Sequence, residues 1–368
     1  MENLSDYIRQ NAQTPFSVKP LTVLDFTIFN ELGYLGLIDH LTKDRTRSEG
    51  VWLHELRPLG QELLTNNRFD FLNTKERLAL LDLVTSAKRY QHVKISHYVN
   101  DVNEEFERQF AAMVFSIPEE NVHHIVFRGT DDSLIGWKED FKLTYMSELP
   151  AHRAAVHYLN RTMPQLSGQV LISGHSKGGN LAVYAAANSQ AMLKNRITMI
   201  LVLDAPGFRQ AFLSSEAYQT LSHRIVVIQP YESIVGVMLE SDKQPLIVAS
   251  RDKGIAQHMV LNWAVDIVSD GFVLVDSLSP TSIKLAQTFA IWNQSLPSYE
   301  LKQLFDLLFD SLREDGIRSL NDLSLKASLE LPISFDPYRR LTPQQKELFK
   351  RAIGLFIQAY RSSRSLSR

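Results

Sequence analysis

A serine lies between two glycines in Gly174-His175-Ser176-Lys177-Gly178, after the apolar run QVLIS and before the alanine-rich segment LAVYAAAN. A serine that attacks a carbonyl carbon must project from a tight strand-to-helix turn, where flanking glycines let the two backbones approach. The same turn puts the backbone N–H of Lys177 at the positive end of the helix. A phosphate-binding loop is the competing interpretation, but its spacing G-x-x-x-x-G-K-[ST] is absent. The pattern therefore predicts Ser176 as a nucleophile and the Lys177 amide as an oxyanion donor.

A serine hydroxyl needs a general base near neutral pH. Where a serine follows a strand in this way, the acid and then the histidine come later in the chain, and only His223 and His258 follow Ser176. His223 precedes the strand RIVVI and so lies at the amino edge of the sheet, whereas catalytic loops gather at the carboxyl edge. His258, in the polar loop RDKGIAQHM, is the predicted base, with an ordinary surface histidine as the alternative.

The second oxyanion donor is expected in a loop after an earlier strand. The strand HHIVF ends in Phe127-Arg128-Gly129-Thr130, so the amide of Thr130 is the candidate. Arg128 has two interpretations, namely a site for a substrate anion or an ion pair with a neighbouring aspartate that fixes the loop. Those aspartates are Asp131, Asp132 and Asp140. The apolar residues that follow fit either a lipase-type lid or a core helix: Leu134, Ile135, Trp137, Phe141, Met146 and Leu149.

These motifs carry a resemblance to known enzymes. FRGT, followed by Trp137 and Asp140 and then by GHSKGG, resembles the class 3 triacylglycerol lipases. The chain is more similar to a bacterial branch of lipase-like α/β-hydrolases, once known only as a domain of unknown function, which pairs GHSKGGN with DGPGF and QH-x(4)-W. The corresponding segments here are DAPGF at residues 204–208 and Gln257-His258 with Trp263. The resemblance covers roughly residues 21–275 and implies an α/β-hydrolase fold and serine esterase or lipase chemistry, without a substrate.

Two carboxylates are candidates for the acid that orients the histidine. Asp204 ends the run MILVLD, and Glu232 lies two residues past RIVVIQP, so each follows the end of a strand. The position of Glu232 is similar to that of the acid in class 3 lipases. Asp204 lies on the strand next after that of the serine and matches the aspartate of the DGPGF motif. We favour Asp204 and keep Glu232 as the alternative.

The chain divides into three parts by its apolar periodicity. Residues 1–90 are predicted to be a helical part packed on the core, and residues 91–278 contain short β-branched runs alternating with helical segments, as in a mostly parallel α/β sheet flanked by helices. Residues 279–368 are helical again and end in a tail predicted to be disordered. The last helix is marked by a capping box at Thr342-Pro343-Gln344-Gln345. Its predicted apolar face contains Leu348, Phe349, Ala352, Ile353, Phe356, Ile357 and Tyr360.

Composition excludes several classes of function. The 368 residues, 44% of them hydrophobic, can form a sizeable core, and a net charge of -2 gives no reason to expect nucleic acid as a partner. The absence of cysteine excludes thiol nucleophiles, thiolate metal sites and disulfides. The neighbours His123 and His124 are expected on opposite faces of a strand, so we predict neither metal nor cofactor. With no signal peptide and no apolar run of membrane-spanning length, the expected location is cytoplasmic.

The sequence thus predicts a metal-independent serine hydrolase that cleaves carboxylic esters through an acyl-enzyme. The expected partner is a small ester or lipid-like substrate, and the oligomeric state is not predicted. Thioester hydrolysis and acyl transfer on the same fold remain alternatives. A non-catalytic protein that keeps the hydrolase fold and binds a partner through its terminal helices is the alternative from a different class.

Overall fold

The structure is a computed structural model that describes residues 1–38, 50–68, 70–103, 105–131, 133–319 and 341–363. Within these ranges no helix has the length and apolarity needed to cross a membrane. Asp132, one of the proposed partners of Arg128, lies outside the described residues. So do residues 364–368, which form most of the tail that was predicted to be disordered.

The helices and strands follow the predicted order. The longer helices are α1 (Leu4–Asn11), α2 (Val23–Leu32), α3 (Arg57–Thr65), α4 (Lys75–Ser86), α5 (Leu134–Lys142), α6 (Pro150–Thr162), α7 (Lys177–Asn188), α8 (Pro280–Ser295), α9 (Ser298–Glu314) and α10 (Pro343–Ser362). Short helical turns occupy Ala191–Lys194, Gln210–Leu213 and Glu216–Gln219. The strands are β1 (Val51–Trp52), β2 (Lys94–Asn103), β3 (Arg108–Ile117), β4 (Val122–Phe127), β5 (Gln169–His175), β6 (Ile197–Leu203), β7 (Ile225–Pro230), β8 (Leu246–Val248), β9 (Val265–Asp266), β10 (Gly271–Phe272) and β11 (Leu274–Val275).

The central sheet of the described residues has nine strands in the order β1-β2-β3-β4-β5-β6-β7-β8-β11. Strands β4 to β8 are parallel, whereas β1 to β4 and the pair β8–β11 are antiparallel. The middle strand β5 is buried at every position except Gln169, because helices cover both faces of the sheet. Burial on both faces explains why the central strands read as nearly continuous apolar runs.

Alternate residues of the strands enter two separate cores. On β5, Leu171 faces the N-terminal helices α1, α2 and α4, whereas Val170 and Ile172 pack against α6 and α7. The N-terminal helices therefore pack against one face of the sheet. This pattern follows from the two-residue period of side chains along a strand.

Two local features differ from the prediction. The N-terminal part contains the short strand β1, which pairs with Lys94 and Ile95 of β2 at one edge of the sheet. The apolar run FVLV at residues 272–275, which has the composition of one strand, is divided at Val273, whose N–H donates to the carbonyl of Ala264 while its own carbonyl accepts from Ala249. The chain changes partners at this residue, so β10 forms a small hairpin with β9 and β11 extends the main sheet.

The carboxyl ends of the parallel strands carry the predicted site residues. Strands β4, β5, β6 and β7 end at residues 127, 175, 203 and 230, and Thr130, Ser176, Asp204 and Glu232 follow within three residues of these ends. A tight turn at Ser176 between β5 and α7, in the middle of a mostly parallel, doubly covered sheet, is the arrangement of an α/β-hydrolase. The predicted fold class is confirmed.

The C-terminal helices form a third core with α5. The ring of Phe141 lies 4.7 Å from that of Phe305, measured between centroids. Thr342 and Gln345 form the predicted capping box at the start of α10. The predicted apolar face of α10 is only partly buried, since Ile353 and Ile357 remain 47% and 44% exposed. That face spans more of the helix circumference than α8 and α9 cover, so its outer residues point to solvent.

Candidate active site

Ser176 occupies a strained turn between β5 and α7. Its φ angle is +57°, in a region that residues other than glycine seldom adopt. A β-carbon on Gly174 would come within 2.0 Å of the backbone carbon of Gly178, and one on Gly178 within 2.1 Å of the carbonyl oxygen of Phe127. The glycines are therefore required by the close approach of β4, β5 and α7, as the sequence predicted.

The loop after β4 lies directly against this turn. A β-carbon on Gly129 would be 3.1 Å from Cβ of Ser176 and 2.6 Å from the carbonyl oxygen of His175. The next residue, Thr130, is buried, and its hydroxyl donates to Oδ2 of Asp140 on α5 at 2.5 Å. The structure thus brings the Thr130 and Ser176 segments together and fixes Thr130 through its side chain.

Asp204 and His258 form a hydrogen-bonded pair. Oδ2 of Asp204 lies 2.6 Å from Nδ1 of His258. Asp204 is fully buried with φ +40°, and its Oδ1 accepts from the hydroxyl of Ser233 at 2.5 Å and the amide of Gly236 at 3.2 Å. A carboxylate can only accept, so Nδ1 of His258 carries the proton and Nε2 of the neutral ring is free to take one.

Glu232 has a different position. Its carboxylate accepts from the amide of Gly254 at 2.5 Å and from the side chain of Gln257 at 3.1 Å. The backbone amide of Glu232 also donates to the side-chain oxygen of Gln257 at 2.8 Å. Glu232 therefore braces the segment that leads to His258, which is a 3-10 helix over Gly254–His258 rather than the loop expected from its polar sequence.

The ring of His258 packs beside the turn that holds Ser176. Its centroid lies 4.4 Å from that of His175, the residue before Ser176. No hydrogen bond joins Ser176 and His258 directly in this part of the structure. Contacts of this kind are often long in a free enzyme and shorten when substrate binds.

His175 is a site residue that the sequence analysis overlooked. Its Nε2 lies 2.7 Å from the carbonyl oxygen of His258, so this nitrogen carries the proton, and Nδ1 accepts from the hydroxyl of Tyr34 at 3.0 Å. Burial, together with the neighbouring His258, lowers the pKa of His175 well below its usual range. A neutral His175 thus connects the N-terminal part of the chain to the backbone of His258.

The side chain of Lys177 was also overlooked, because the sequence predicted a role for its amide alone. The ammonium group is fully buried, 3.0 Å from Oε2 of Glu139 and 2.8 Å from Oε1 of Gln109. Nζ of Lys177 also lies 3.6 Å from Oδ1 of Asp140. Burial opposes the charged form, but Glu139 and Asp140 outweigh it and raise the pKa of Lys177. The lysine therefore ties the turn at Ser176 to α5, whose Asp140 also binds Thr130.

Asn180, the last residue of the GHSKGGN segment, is buried and binds two other parts of the chain. Its side-chain nitrogen donates to the carbonyls of Pro206 and Gly207 at 3.2 and 2.8 Å, and its oxygen lies 2.7 Å from Nε2 of His152. The loop DAPGF, which begins at Asp204, is thus fastened to α7. The two motifs of the resemblance meet in space through this residue.

Arg128 contacts an aspartate rather than an open pocket. The side chain is buried, and Nη2 lies 3.1 Å from Oδ1 of Asn100 and 3.5 Å from Oδ2 of Asp131. Asp140 is engaged with Thr130 and Lys177 instead. These contacts fit the interpretation in which Arg128 fixes the loop.

The segment considered as a lid is a packed helix. Trp137 and Phe141 of α5 join the third core with α9 and α10. The amide of Leu134 donates to the carbonyl of Arg318 at 2.8 Å. In this structure α5 therefore connects the loop after β4 to the C-terminal helices.

His123 and His124 face opposite sides of β4, as predicted. Nδ1 of His123 contacts the hydroxyl of Ser116 at 2.8 Å, and Nε2 of the buried His124 contacts Ser173 at 2.7 Å. Burial lowers the pKa of His124 to about 3. Across the described ranges, no group of three or more His, Asp or Glu side chains is arranged to hold a metal ion.

Comparison with known proteins identifies the family. The Mbeg1-like family model matches residues 84–310, more than half of the chain. The chain belongs to the Mbeg1-like family. The match begins near the end of α4 and includes α8 and most of α9. The resemblance stated from the sequence, by contrast, included the N-terminal helices and ended near residue 275.

Solved structures of lipases share part of the fold. The M37 lipase is 15% identical, with a TM-score of 0.36, over 58% of this chain and 68% of that one. A fungal lipase in complex with an inhibitor is 17% identical, with a TM-score of 0.33, over 58% and 78%. The Rhizomucor miehei lipase in its native propeptide complex is 17% identical, with a TM-score of 0.32, over 55% and 67%. No curated protein sequence matches the chain. These structures are too distant to indicate a substrate.

Proposed function

We propose that this protein is a serine hydrolase that cleaves carboxylic esters through an acyl-enzyme. The observation that carries the proposal is the hydrogen bond between Asp204 and His258. Oδ2 of Asp204 lies 2.6 Å from Nδ1 of His258, and the carboxylate is fully buried. The pair lies beside a nucleophile turn whose serine has φ +57°. Strained residues that cluster with an oriented imidazole are typical of catalytic sites.

The proposed reaction begins with attack of Oγ of Ser176 on the ester carbonyl while Nε2 of His258 takes the hydroxyl proton. Asp204 keeps the ring in the tautomer that can accept this proton and stabilises the imidazolium. The carbonyl oxygen becomes an oxyanion, which we assign to the amides of Thr130 and Lys177. The imidazolium then protonates the departing alkoxide, and an acyl group remains on Ser176.

Water completes the cycle by the same route. His258 takes a proton from water, the hydroxide attacks the acyl carbonyl, and the second oxyanion occupies the same two amides. Collapse of this intermediate returns the proton to Oγ of Ser176 and releases a carboxylic acid. Asp204 is the proposed triad acid, because Glu232 contacts Gly254 and Gln257 rather than the imidazole.

We propose short or medium acyl esters or lysolipids as substrates. The support is the resemblance of the FRGT and GHSKGGN segments to lipase-like enzymes. A protein that keeps this fold without catalysis is the outcome that an absence of activity would indicate.

Hydrolysis of p-nitrophenyl esters tests the proposal. Ser176→Ala should abolish the reaction and retain the circular dichroism spectrum, since it deletes one hydroxyl group. Ser167→Ala, at an exposed serine before β5, is the matched control and should retain the wild-type rate. Hydrolysis by Ser176→Ala at the wild-type rate would show that another group is the nucleophile.

A further inference from the structure

The C-terminal helix α10 carries a stripe of exposed apolar side chains. Ile353, Ile357 and Tyr360 are between 40% and 47% exposed, although all three side chains are large and mainly apolar. They are four and three residues apart, so they lie one above the other along the outer side of the helix. Exposed apolar side chains that adjoin in this way mark surfaces that contact a protein or a membrane.

Basic side chains lie beside this stripe. Lys350 precedes Ile353 by three residues, and Arg361 follows Ile357 by four. Residues three or four apart share one side of a helix, so both basic side chains lie on the side that carries the isoleucines. Both are exposed. The outer side of α10 is therefore apolar and basic at once.

Helix α8 extends this surface. Nε1 of Trp292 donates to the carbonyl of Ala352 at 2.9 Å, and Nζ of Lys284 lies 3.8 Å from the centroid of the Tyr360 ring. The two helices together contain five basic residues and one acidic residue, Glu347, which is a net charge of +4 in a chain whose net charge is -2. Positive charge is thus concentrated on the α8–α10 surface, which consists of Lys284, Lys350, Ile353, Ile357, Tyr360 and Arg361.

The neighbouring helix α9 is acidic, but three of its carboxylates have basic partners. Glu300 forms an ion pair with Arg351 of α10. Asp306 and Asp310 each lie 3.2 Å from Nζ of Lys138 on α5. The negative charge of α9 is therefore matched by these partners, and α10 keeps an excess of positive charge.

We propose that the α8–α10 surface binds a lipid bilayer that contains anionic lipids. Helix α10 has 20 residues, a length of about 30 Å, and can lie in the plane of the lipid headgroups. Its apolar stripe would enter the boundary between headgroups and acyl chains. The flexible stems of lysine and arginine would let their charged ends remain beside the lipid phosphates.

Charge argues against two other occupants of this surface. In a symmetric dimer formed through it, the same positive surface of each copy would meet across the two-fold axis. Nucleic acid would pair with the basic groups through its phosphates but would leave the apolar stripe beside charged groups. An anionic bilayer suits both parts of the surface, because its headgroups are negative and its interior is apolar.

Sedimentation with vesicles tests this proposal. It is carried out in the Ser176→Ala variant, because the vesicle lipids are themselves esters. Vesicles of phosphatidylcholine mixed with phosphatidylglycerol should bind the protein, less so as salt is added, and phosphatidylcholine alone should bind much less. Lys350→Gln with Arg361→Gln should weaken binding about twenty-five-fold, since each basic residue near an anionic surface contributes about five-fold. Lys75→Gln with Lys88→Gln removes the same charge at exposed positions in and after α4 and is the matched control.

Ile353→Gln with Ile357→Gln tests the apolar part of the surface. Both side chains are partly exposed, so the circular dichroism spectrum should be retained, whereas vesicle binding should weaken at least on the order of ten-fold. Val268→Gln, at a valine that is 89% exposed, is the control. A dimer in sedimentation velocity that the isoleucine substitutions dissociate would assign the surface to a second copy of the chain and overturn the proposal.

The absence of cysteine permits a direct test of which side of α10 meets the bilayer. Ile357→Cys and Gln358→Cys each provide one thiol for a polarity-sensitive NBD fluorophore, at neighbouring positions turned about 100° apart. On anionic vesicles the emission of the label at 357 should shift to the blue, and that of the label at 358 much less.

Equal shifts at the two positions would overturn the proposal. So would the absence of vesicle binding, or binding that Lys350→Gln with Arg361→Gln leaves unchanged. Hydrolysis of soluble esters without vesicle binding would contradict this proposal alone. Vesicle binding without hydrolysis by the wild type would support it and contradict only the proposed ester chemistry.

Discussion

The buried ammonium group of Lys177 is expected to contribute strongly to stability. Lys177→Met keeps the length of the side chain but removes the charge 3.0 Å from Oε2 of Glu139. Both side chains are fully buried, so the carboxylate of Glu139 would remain as an uncompensated charge beside Asp140. Breaking a buried ion pair in this way costs about 3–5 kcal/mol, a large part of the 5–15 kcal/mol that stabilises a typical protein.

Two backbone amides that bind Glu139 should keep the loss of stability near the low end of that range. Glu139 keeps hydrogen bonds from the amides of Gln109 at 3.1 Å and Ala151 at 3.0 Å when Lys177 is replaced. The double variant Lys177→Met with Glu139→Gln removes both charges and should recover part of the loss, since paired removal is less costly than single removal, although the NH2 group of the glutamine then faces one of the two backbone amides. We therefore expect about 3 kcal/mol for the single variant.

Urea denaturation followed by tryptophan fluorescence measures this difference. Lys302→Met is the control, because Lys302 is 61% exposed in its pair with Asp306 and such surface pairs contribute about 0.2–1 kcal/mol. A loss of less than 1 kcal/mol in Lys177→Met, or a double variant less stable than the single one, would refute the reasoning about the buried pair.

Three further predictions concern the acid, the positioning histidine and pH. Asp204→Asn should lower turnover by up to roughly ten-thousand-fold, and Glu232→Gln much less; the reverse order in steady-state kinetics would reassign the acid. Tyr34→Phe should lower kcat more than it changes KM, because it removes the donor to Nδ1 of His175, and unchanged kinetics would exclude that positioning role. Burial lowers the pKa of His152 to about 4. His152 therefore binds a proton in the unfolded chain before it does so in the folded one as the pH falls below about 6.5, and this one group should lower stability by about 3 kcal/mol towards pH 4. Urea titrations should show a smaller drop in His152→Gln, and parallel pH profiles would contradict this.

Local pattern predicted the order of elements and the positions at the sheet edge. The glycines of GHSKGG, the strand before Ser176 and the capping box at Thr342 are encoded within a few residues, so sequence was sufficient for them. The choice between Asp204 and Glu232 is different, because both follow strand ends. It depends on contacts between residues 54 positions apart, namely Asp204 and His258, which periodicity does not specify.

The sequence did not predict the buried side chain of Lys177 or the contacts of His175, for a similar reason. Lys177 begins α7, where charged residues are usually solvated, and its partner Glu139 lies 38 positions earlier. His175 was treated as a spacer within the motif, although its partner Tyr34 lies 141 positions away. The sequence carries only a weak signal for a buried lysine beside Ser176, namely the adjacent acids Glu139 and Asp140, which are flanked by Lys138 and Lys142 in the same helix.

Mass spectrometry after treatment with a fluorophosphonate tests the central claim most directly. Only a serine activated by a base reacts rapidly with this probe, so its position identifies the nucleophile. We predict one phosphonyl group per chain, carried by the peptide that contains Ser176, and no rapid labelling in Ser176→Ala or Asp204→Asn. An adduct on another residue, or no adduct in the folded wild-type protein, would contradict the assignment of Ser176 as a catalytic nucleophile.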